Sequence, residues 1–337
     1  MLSTDQYSLI RTAFYKGDRL RQAWLQGRTV LDNDRLSGGD YILPALIASN
    51  LEEEGIQDPL SLLLKGTSRH VWCKNQLIKQ DLEPLLLQLN QHRIDHALVG
   101  EAGFSLLAYQ SDRLLKRHEI CLLIAPRAIG AVETICLELG WTVKTRQQLA
   151  KNGLDIYETV FATAEGHKIR LAASLYWDRD SYLTLTDLPK AALTPTEVGQ
   201  AQTWILSPTY QLIYLIGRLR GYLPRPLVVW SVHLTALLTQ YGETIHWETV
   251  TNYLDSSDAI FSLQRVTADL KEQLAIPAVA EFNQRIQAVR PSRWRTLKYL
   301  VSLRVQHLGH IASASQQTVQ QQAAATRRRL SGRLSNI

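Results

Sequence analysis

The stretch that decides the fold runs from Ile94 to Ile124 and reads IDHALVGEAGFSLLAYQSDRLLKRHEICLLI. His96 to Val99 is a short apolar run closed by Gly100, the pattern of a strand ended by a tight turn. Phe104, Leu107 and Ala108 recur at helical spacing between Ala102 and Tyr109. Ile120, Leu122 and Ile124 alternate with Glu119, Cys121 and Leu123, which is the period of a strand. Strand, glycine turn, short helix, loop and strand thus follow one another within a single segment.

Upstream, residues 1–92 read as helices throughout. Tyr7, Ile10, Ala13 and Phe14 share one face of a first helix that ends near Gly17, and Ile42–Leu51 forms another with Pro44 near its start. Ser68–His92 carries apolar residues at helical spacing, interrupted by Pro84, which is expected to kink the helix or start a new one. Asp32, Asp34 and Asp40 surround Ser37-Gly38-Gly39, where turn chemistry accounts for them.

Downstream, Pro126 suits the first turn of a helix whose buried stripe is Ile129, Val132, Ile135, Cys136 and Leu139, with Gly140 as the stop. Trp141–Lys144 reads as a short strand. Ile156–Ala164 and His167–Trp177 are β-rich runs joined by Glu165-Gly166, a hairpin signal. From Leu206 the helical pattern returns, opening with Ser207-Pro208. Further helices are expected over 258–274, 278–289 and 291–310, before a low-complexity stretch from Gln316 to Ala325.

With 337 residues, 45% of them hydrophobic, the chain can bury one large core or two smaller ones. Cys73, Cys121 and Cys136 have no paired spacing, so neither a disulfide frame nor a zinc site is indicated. The N-terminus lacks the features of a signal peptide, and no apolar run approaches the roughly 20 residues that cross a bilayer. A cytoplasmic location is expected. The net charge of +6 is unevenly placed: ten Lys and Arg follow Glu281, the last carboxylate, leaving residues 1–281 at about −4.

The pieces from Ile94 to Ile124 resemble the opening of a nucleotidyltransferase domain of the DNA-polymerase-β-like superfamily. They look most like its bacterial nucleotidyltransferase branch, whose members read roughly L-K-G-(x)-Y-(x)-R-(x)-D-I-D-L-L-V. Gly100, Tyr109 and the I-x-L-L-I ending stand in register with that pattern. The Leu206-Ser207-Pro208 start and His246-Trp247 also look like the family, and the resemblance covers about residues 85–250. It implies an α+β fold, with a small mixed sheet as nucleotidyltransferase core between helical parts. The expected division is 1–92 helical, 93–186 core, 187–312 helical, and 313–337 a basic, mobile tail.

The resemblance further implies two carboxylates one residue apart on a strand, facing the same way to hold Mg²⁺, which prefers oxygen ligands and bridges substrate phosphates. The matching positions are Glu119 and Cys121, and a thiol is a poor ligand for a hard cation. The family lysine is replaced by Val99. The third carboxylate, expected on a later strand, falls at Arg170. The acid that the family carries near a tryptophan is missing from Val228–His233. Glu119 is thus a remnant catalytic residue, Gly100 and Glu101 are remnants of a nucleotide-binding turn, and Val99, Cys121 and Arg170 are degenerate positions.

Each residue has a plainer reading beside the sharper one. Glu101 at a helix start complements the helix dipole by roughly 0.3–1 kcal/mol, and would also oppose phosphate. Arg170 is expected to pair with Glu119 across the old metal site, its guanidinium taking the space of an ion, unless it points to the opposite face of its strand. Glu158 and Asp155 are the acids that could replace the lost carboxylate. Cys121 is read as a small hydrophobe rather than a nucleophile. His118 borders the site, and His307 and His310 share a helix face without a third ligand. Trp294, Leu297, Val301, Val305 and Leu308 form an apolar stripe among arginines. It reads first as a packed helix, and next, with Arg327-Arg328-Arg329, as contact for an anionic surface or partner protein.

Two functions follow. In one, a family member has lost metal-dependent catalysis and acts as a binding or accessory protein, with a nucleotide as candidate ligand and no cofactor expected. In the other, Glu119 and an acid from elsewhere hold Mg²⁺, and the protein moves a nucleoside monophosphate from a triphosphate to an acceptor. The motifs of other enzyme classes, G-x-x-x-x-G-K-[ST], G-x-S-x-G and H-E-x-x-H, do not occur. A nucleic-acid binder without transferase ancestry would explain the basic tail but leave residues 94–124 unexplained.

Overall fold

In the computed structural model of the chain, the described residues are 2–32, 42–109, 119–151, 154–178, 181–219, 227–257 and 259–291, with the side chains of 32, 119, 148–151, 154–157, 176–178, 181–182 and 256 outside the description. The loop acids Asp34 and Asp40, His118, and everything beyond residue 291, including the expected helix over 291–310 and the basic tail, lie outside the described residues.

Four helices open the chain: α1 (Thr4–Phe14), α2 (Gly17–Asp32), α3 (Leu43–Glu53) and α4 (Pro59–Gln91). Ser3 starts α1 with a capping box: its hydroxyl accepts from the Gln6 backbone N–H while the Gln6 side chain accepts from the Ser3 backbone. Helix α4 does not break at Pro84. The missing hydrogen bond and ring clash there cost about 3 kcal/mol. Leu82, Leu85, Leu86 and Leu89 are all fully buried around it, and at roughly 1.5–3 kcal/mol each their burial outweighs the break.

The sheet strands are β1 (His96–Val99), β2 (Glu119–Ile124), β3 (Thr142–Lys151), β4 (Leu154–Ala162), β5 (Lys168–Ala172), β8 (Leu193–Val198) and β9 (Ala201–Leu206), in the order β3-β4-β5-β2-β1-β9-β8. The sheet is mixed: β2 runs parallel to β5 and β1 parallel to β9, and the other neighbours are antiparallel. A separate hairpin comprises β6 (Ser174–Asp178) and β7 (Ser181–Thr184). The Glu165-Gly166 turn joins β4 to β5 as its composition implies, with Gly166 at φ +82°. Strands β8 and β9 carry the sheet on to Leu206, past the expected limit at residue 186.

Between β1 and β2 lies α5 (Glu101–Phe104), which runs directly into a π-helical turn over Ser105–Tyr109. Helix α6 (Ile129–Glu138) follows β2, and α7 (Pro208–Leu219), α8 (Leu227–Tyr241), α9 (Trp247–Ser256), α10 (Ala259–Leu274) and α11 (Pro277–Ala288) follow β9.

Alternation sends Leu98, Ile120, Leu122, Ile124, Phe161, Ile169, Leu171 and Ile205 to one face, here called the back, where the helices bury them in one continuous core. Helices from before and after the sheet contribute to that core. Tyr7 hydrogen-bonds Asp269, Arg11 Nε donates to the Gln273 carbonyl at 2.8 Å, and Tyr15 donates to the Leu274 carbonyl at 2.5 Å. The opposite, front face carries a smaller cluster: Ala97, Val99, Leu123 and Leu206 against Leu175, Leu185, Leu188 and Ala192.

Candidate functional site

Strand β1 ends at Val99, and Gly100 turns the chain with φ +67°, a conformation that side-chain-bearing residues rarely adopt. A Cβ added there would lie 3.4 Å from the Tyr214 hydroxyl. The hydroxyl of an α7 tyrosine thus lies beside the glycine turn, and Glu101 occupies the first turn of α5. Val99 is fully buried in the front cluster, against which Cys121, Tyr210 and Tyr214 pack.

Behind the turn, Phe104 stacks on the ring of His233 with centroids 4.5 Å apart, and the Tyr109 hydroxyl shares a 2.9 Å hydrogen bond with His233 Nδ1. Burial pushes the His233 ring down to a pKa of about 3, so it is neutral at ordinary pH, and pushes the Tyr109 hydroxyl up. Trp230, three residues earlier on α8, donates from Nε1 to the Leu215 carbonyl at 2.8 Å. The α8 segment where the family acid is expected is thus interior structure, with Trp230 and His233 both buried.

On the front face, the parallel register sets Glu119 beside Lys168 and Cys121 beside Arg170. Residues paired in this way point to the same face, so Arg170 stands next to Cys121, the position that the resemblance assigns to a second carboxylate, and not on the reverse of the sheet. Its expected partner was Glu119, whose side chain lies outside the described residues. The ion pair that the structure describes is with Glu158 on β4, Arg170 Nη1 to Glu158 Oε1 at 2.5 Å, both about one-third exposed. Asp155, the other substitute acid, also has its side chain outside the described residues.

Around this pair opens a cleft of about 280 Å³ lined by Lys144, Thr145, Gln147, Glu158, Val160, Lys168 and Arg170. Lys144 sits where the β3–β4 register slips between Val143 and Thr145, a bulge that re-aims a side chain. Lys144 and Lys168 were missed from sequence. The Lys-Ile-Arg alternation at 168–170 is the signal that would have found one of them, since alternate strand residues share a face. Lys144 depends on the bulge, which no composition announces.

The positions implied for Mg²⁺ can be tested against their chemistry. One carries a thiol packed on an apolar cluster and one a guanidinium already paired with an acid, a set that does not fit a hard divalent cation. Among the described residues, no group of three or more His, Cys, Asp or Glu could hold a metal ion.

A mixed sheet that begins with strand, glycine turn and short helix, and receives a parallel strand beside the second one, defines the nucleotidyltransferase class of fold. Residues 42–266 match the model of a family described as uncharacterised nucleotidyltransferase, and the chain belongs to that family. A search among curated proteins gives no match. Similar solved structures include the lincosamide antibiotic adenylyltransferase LnuA with lincomycin bound (12% identity, 40% of this chain and 83% of that one, TM-score 0.31). Another is ANT(2'')-Ia in complex with adenylyl-2''-tobramycin (13%, 52% and 99%, TM-score 0.36). A third is an antigenic nucleotidyltransferase-like protein from Paracoccidioides brasiliensis (13%, 64% and 94%, TM-score 0.35).

Proposed function

We propose that this family member has given up metal-dependent nucleotidyl transfer and acts as a binding or accessory protein, holding the phosphate tail of a nucleotide in the Lys144–Lys168–Arg170 cleft without a metal ion. The observation that carries this reading is Arg170: it stands in register with Cys121 beside the lost metal position, and it is ion-paired with Glu158. Three cations against one carboxylate leave the cleft lining at a net positive charge, which draws in anions and concentrates field where the walls are low in dielectric. A guanidinium can also grip phosphate through two parallel hydrogen bonds.

Two further features favour the cleft over the glycine turn as the phosphate contact. The Tyr214 hydroxyl stands beside Gly100, and the Glu101 carboxylate opposes a second negative charge at the start of α5. Size matters as well. At about 280 Å³ the cleft is just below the roughly 300–1,000 Å³ of pockets that enclose whole drug-sized ligands, so it suits a phosphate group rather than an entire nucleotide.

The test is a thermal-shift screen with each nucleoside triphosphate, in EDTA and in Mg²⁺. A ligand bound by the folded state alone raises the midpoint, by about 2.7 kcal/mol of stability at one hundred times its dissociation constant. An equal shift in EDTA and in Mg²⁺ is expected. A shift that needs the metal would instead favour an active transferase built on Glu119 and a second acid.

A further inference from the structure

The solvent side of α4 differs from the rest of the helical surface. Over Pro59–Gln80 the helix buries Ser61, Leu64, Val71, Asn75 and Ile78, yet Leu62, Leu63, Trp72 and Leu77 remain 71%, 66%, 39% and 47% exposed. Positions 62, 66, 69, 73 and 77 step by four, three, four and four, which stacks Leu62, Gly66, Arg69, Cys73 and Leu77 along one line of the helix, with Leu63 and Trp72 on either side of it. Soluble surfaces scatter single apolar residues, but four large ones exposed within 16 residues of one helix, with cations among them, mark an interaction site.

Its charge says what kind. Between Pro59 and Gln80 the helix carries Lys65, Arg69, Lys74 and Lys79 and no Asp or Glu. Lys65 is bridged to Glu52 of α3 at 3.1 Å, and Arg69 and Lys74 lie further along the exposed side. Exposed leucines and a tryptophan flanked by lysine and arginine, without acids, is the composition of a helix that lies in a lipid interface. There the apolar side chains enter the acyl boundary while the long cations reach the headgroups. A second copy of the chain fits less well, because a two-fold contact would set these cations against themselves. Nucleic acid would take the cations but leave the leucines in water.

We infer that the exposed face of α4 docks on an anionic lipid surface, lying parallel to it with Leu62, Leu63 and Leu77 inserted. No helix of the described residues is long and apolar enough to cross a membrane. This inference is independent of the nucleotide reading.

The experiment is flotation of the full chain with vesicles of phosphatidylcholine alone or mixed with phosphatidylglycerol, alongside an environment-sensitive dye on the exposed Cys73. Binding to the mixed vesicles with a blue shift of the dye is expected. Leu62→Gln/Leu63→Gln should weaken binding about a hundredfold or more, since two leucines leave the interface, and Arg69→Glu/Lys74→Glu should weaken it in a salt-sensitive way. All four positions are exposed, and unchanged circular dichroism verifies that the variants fold. Absence of a blue shift on bound vesicles, or binding that neither double variant alters, would assign any lipid contact to the basic C-terminus and overturn the inference. So would a dye signal that follows protein concentration without lipid, which would mark a second copy, or one that answers only to duplex DNA.

Discussion

Behind the sheet, Leu98, Ile120, Leu122, Phe161, Ile169 and Leu171 are closed in by helices from before and after the sheet. In front, the same strands present Val99, Cys121, Lys168 and Arg170, a small apolar cluster giving way to a basic cleft. The back is fixed by packing, where almost any change leaves a void or an unpaired group. The front is less tightly packed, and a change of side chain there would leave the strands where the back holds them. On the proposed reading, one sheet would keep the family fold while its front face changed chemistry.

The largest effect should come from the back. Phe161 is fully buried, and Phe161→Ala should cost about 3–5 kcal/mol in chemical denaturation without altering ligand affinity in the fraction that stays folded. A smaller loss would mean that the helices close over the gap more freely than a packed core allows.

Acid should act on the same side. His233 has its pKa lowered by burial to about 3, and that of His96 is lowered for the same reason. Below the ordinary value of 6.5 the unfolded chain takes up protons that the folded one refuses. Stability is therefore full above pH 6.5 and falls as pH drops toward 3, by about 1.4 kcal/mol per unit for His233. His233→Phe should flatten this limb between pH 6.5 and 5, measured as the difference between denaturation curves of variant and parent.

At the edge of the sheet, Asp81 of α4 accepts from Thr163 and binds His167 Nδ1 at 2.7 Å, fastening the β4–β5 turn to the helix. Asp81→Asn should cost about 1–2 kcal/mol, seen also as faster amide exchange at that turn. The smallest change in stability should come from the front. Arg170→Leu removes a pair one-third exposed on either side, worth under about 1 kcal/mol. The same substitution should weaken nucleoside triphosphate binding by about tenfold or more, because it deletes a charge-assisted contact.

The back of the sheet was legible in the sequence because period-2 alternation at Ile120–Ile124 and Ile169–Leu171 states which residues face inward. Gly100 and the Ser207-Pro208 start placed β1 and α7 for equally local reasons. Strands β8 and β9 escaped because their alternation, as in Ala201-Gln202-Thr203-Trp204, mixes small, polar and aromatic residues, and Trp204 points outward at 44% exposure. No new helix starts at Pro84, because the penalty it signals is local, while the four leucines that offset it are held by distant elements. At the site, the family resemblance aligned Arg170 with a carboxylate position, but the described partner, Glu158, depends on the antiparallel register of β4 and β5, which sequence fixes only to within a residue.

The most direct measurement is a calorimetric titration of a nucleoside triphosphate into the protein, run once with Mg²⁺ and once with EDTA, for the parent and Arg170→Leu. A cation-lined, metal-free front face predicts the same dissociation constant in both buffers for the parent and weaker binding in both for the variant. Binding that appears only with Mg²⁺ and survives Arg170→Leu would contradict it.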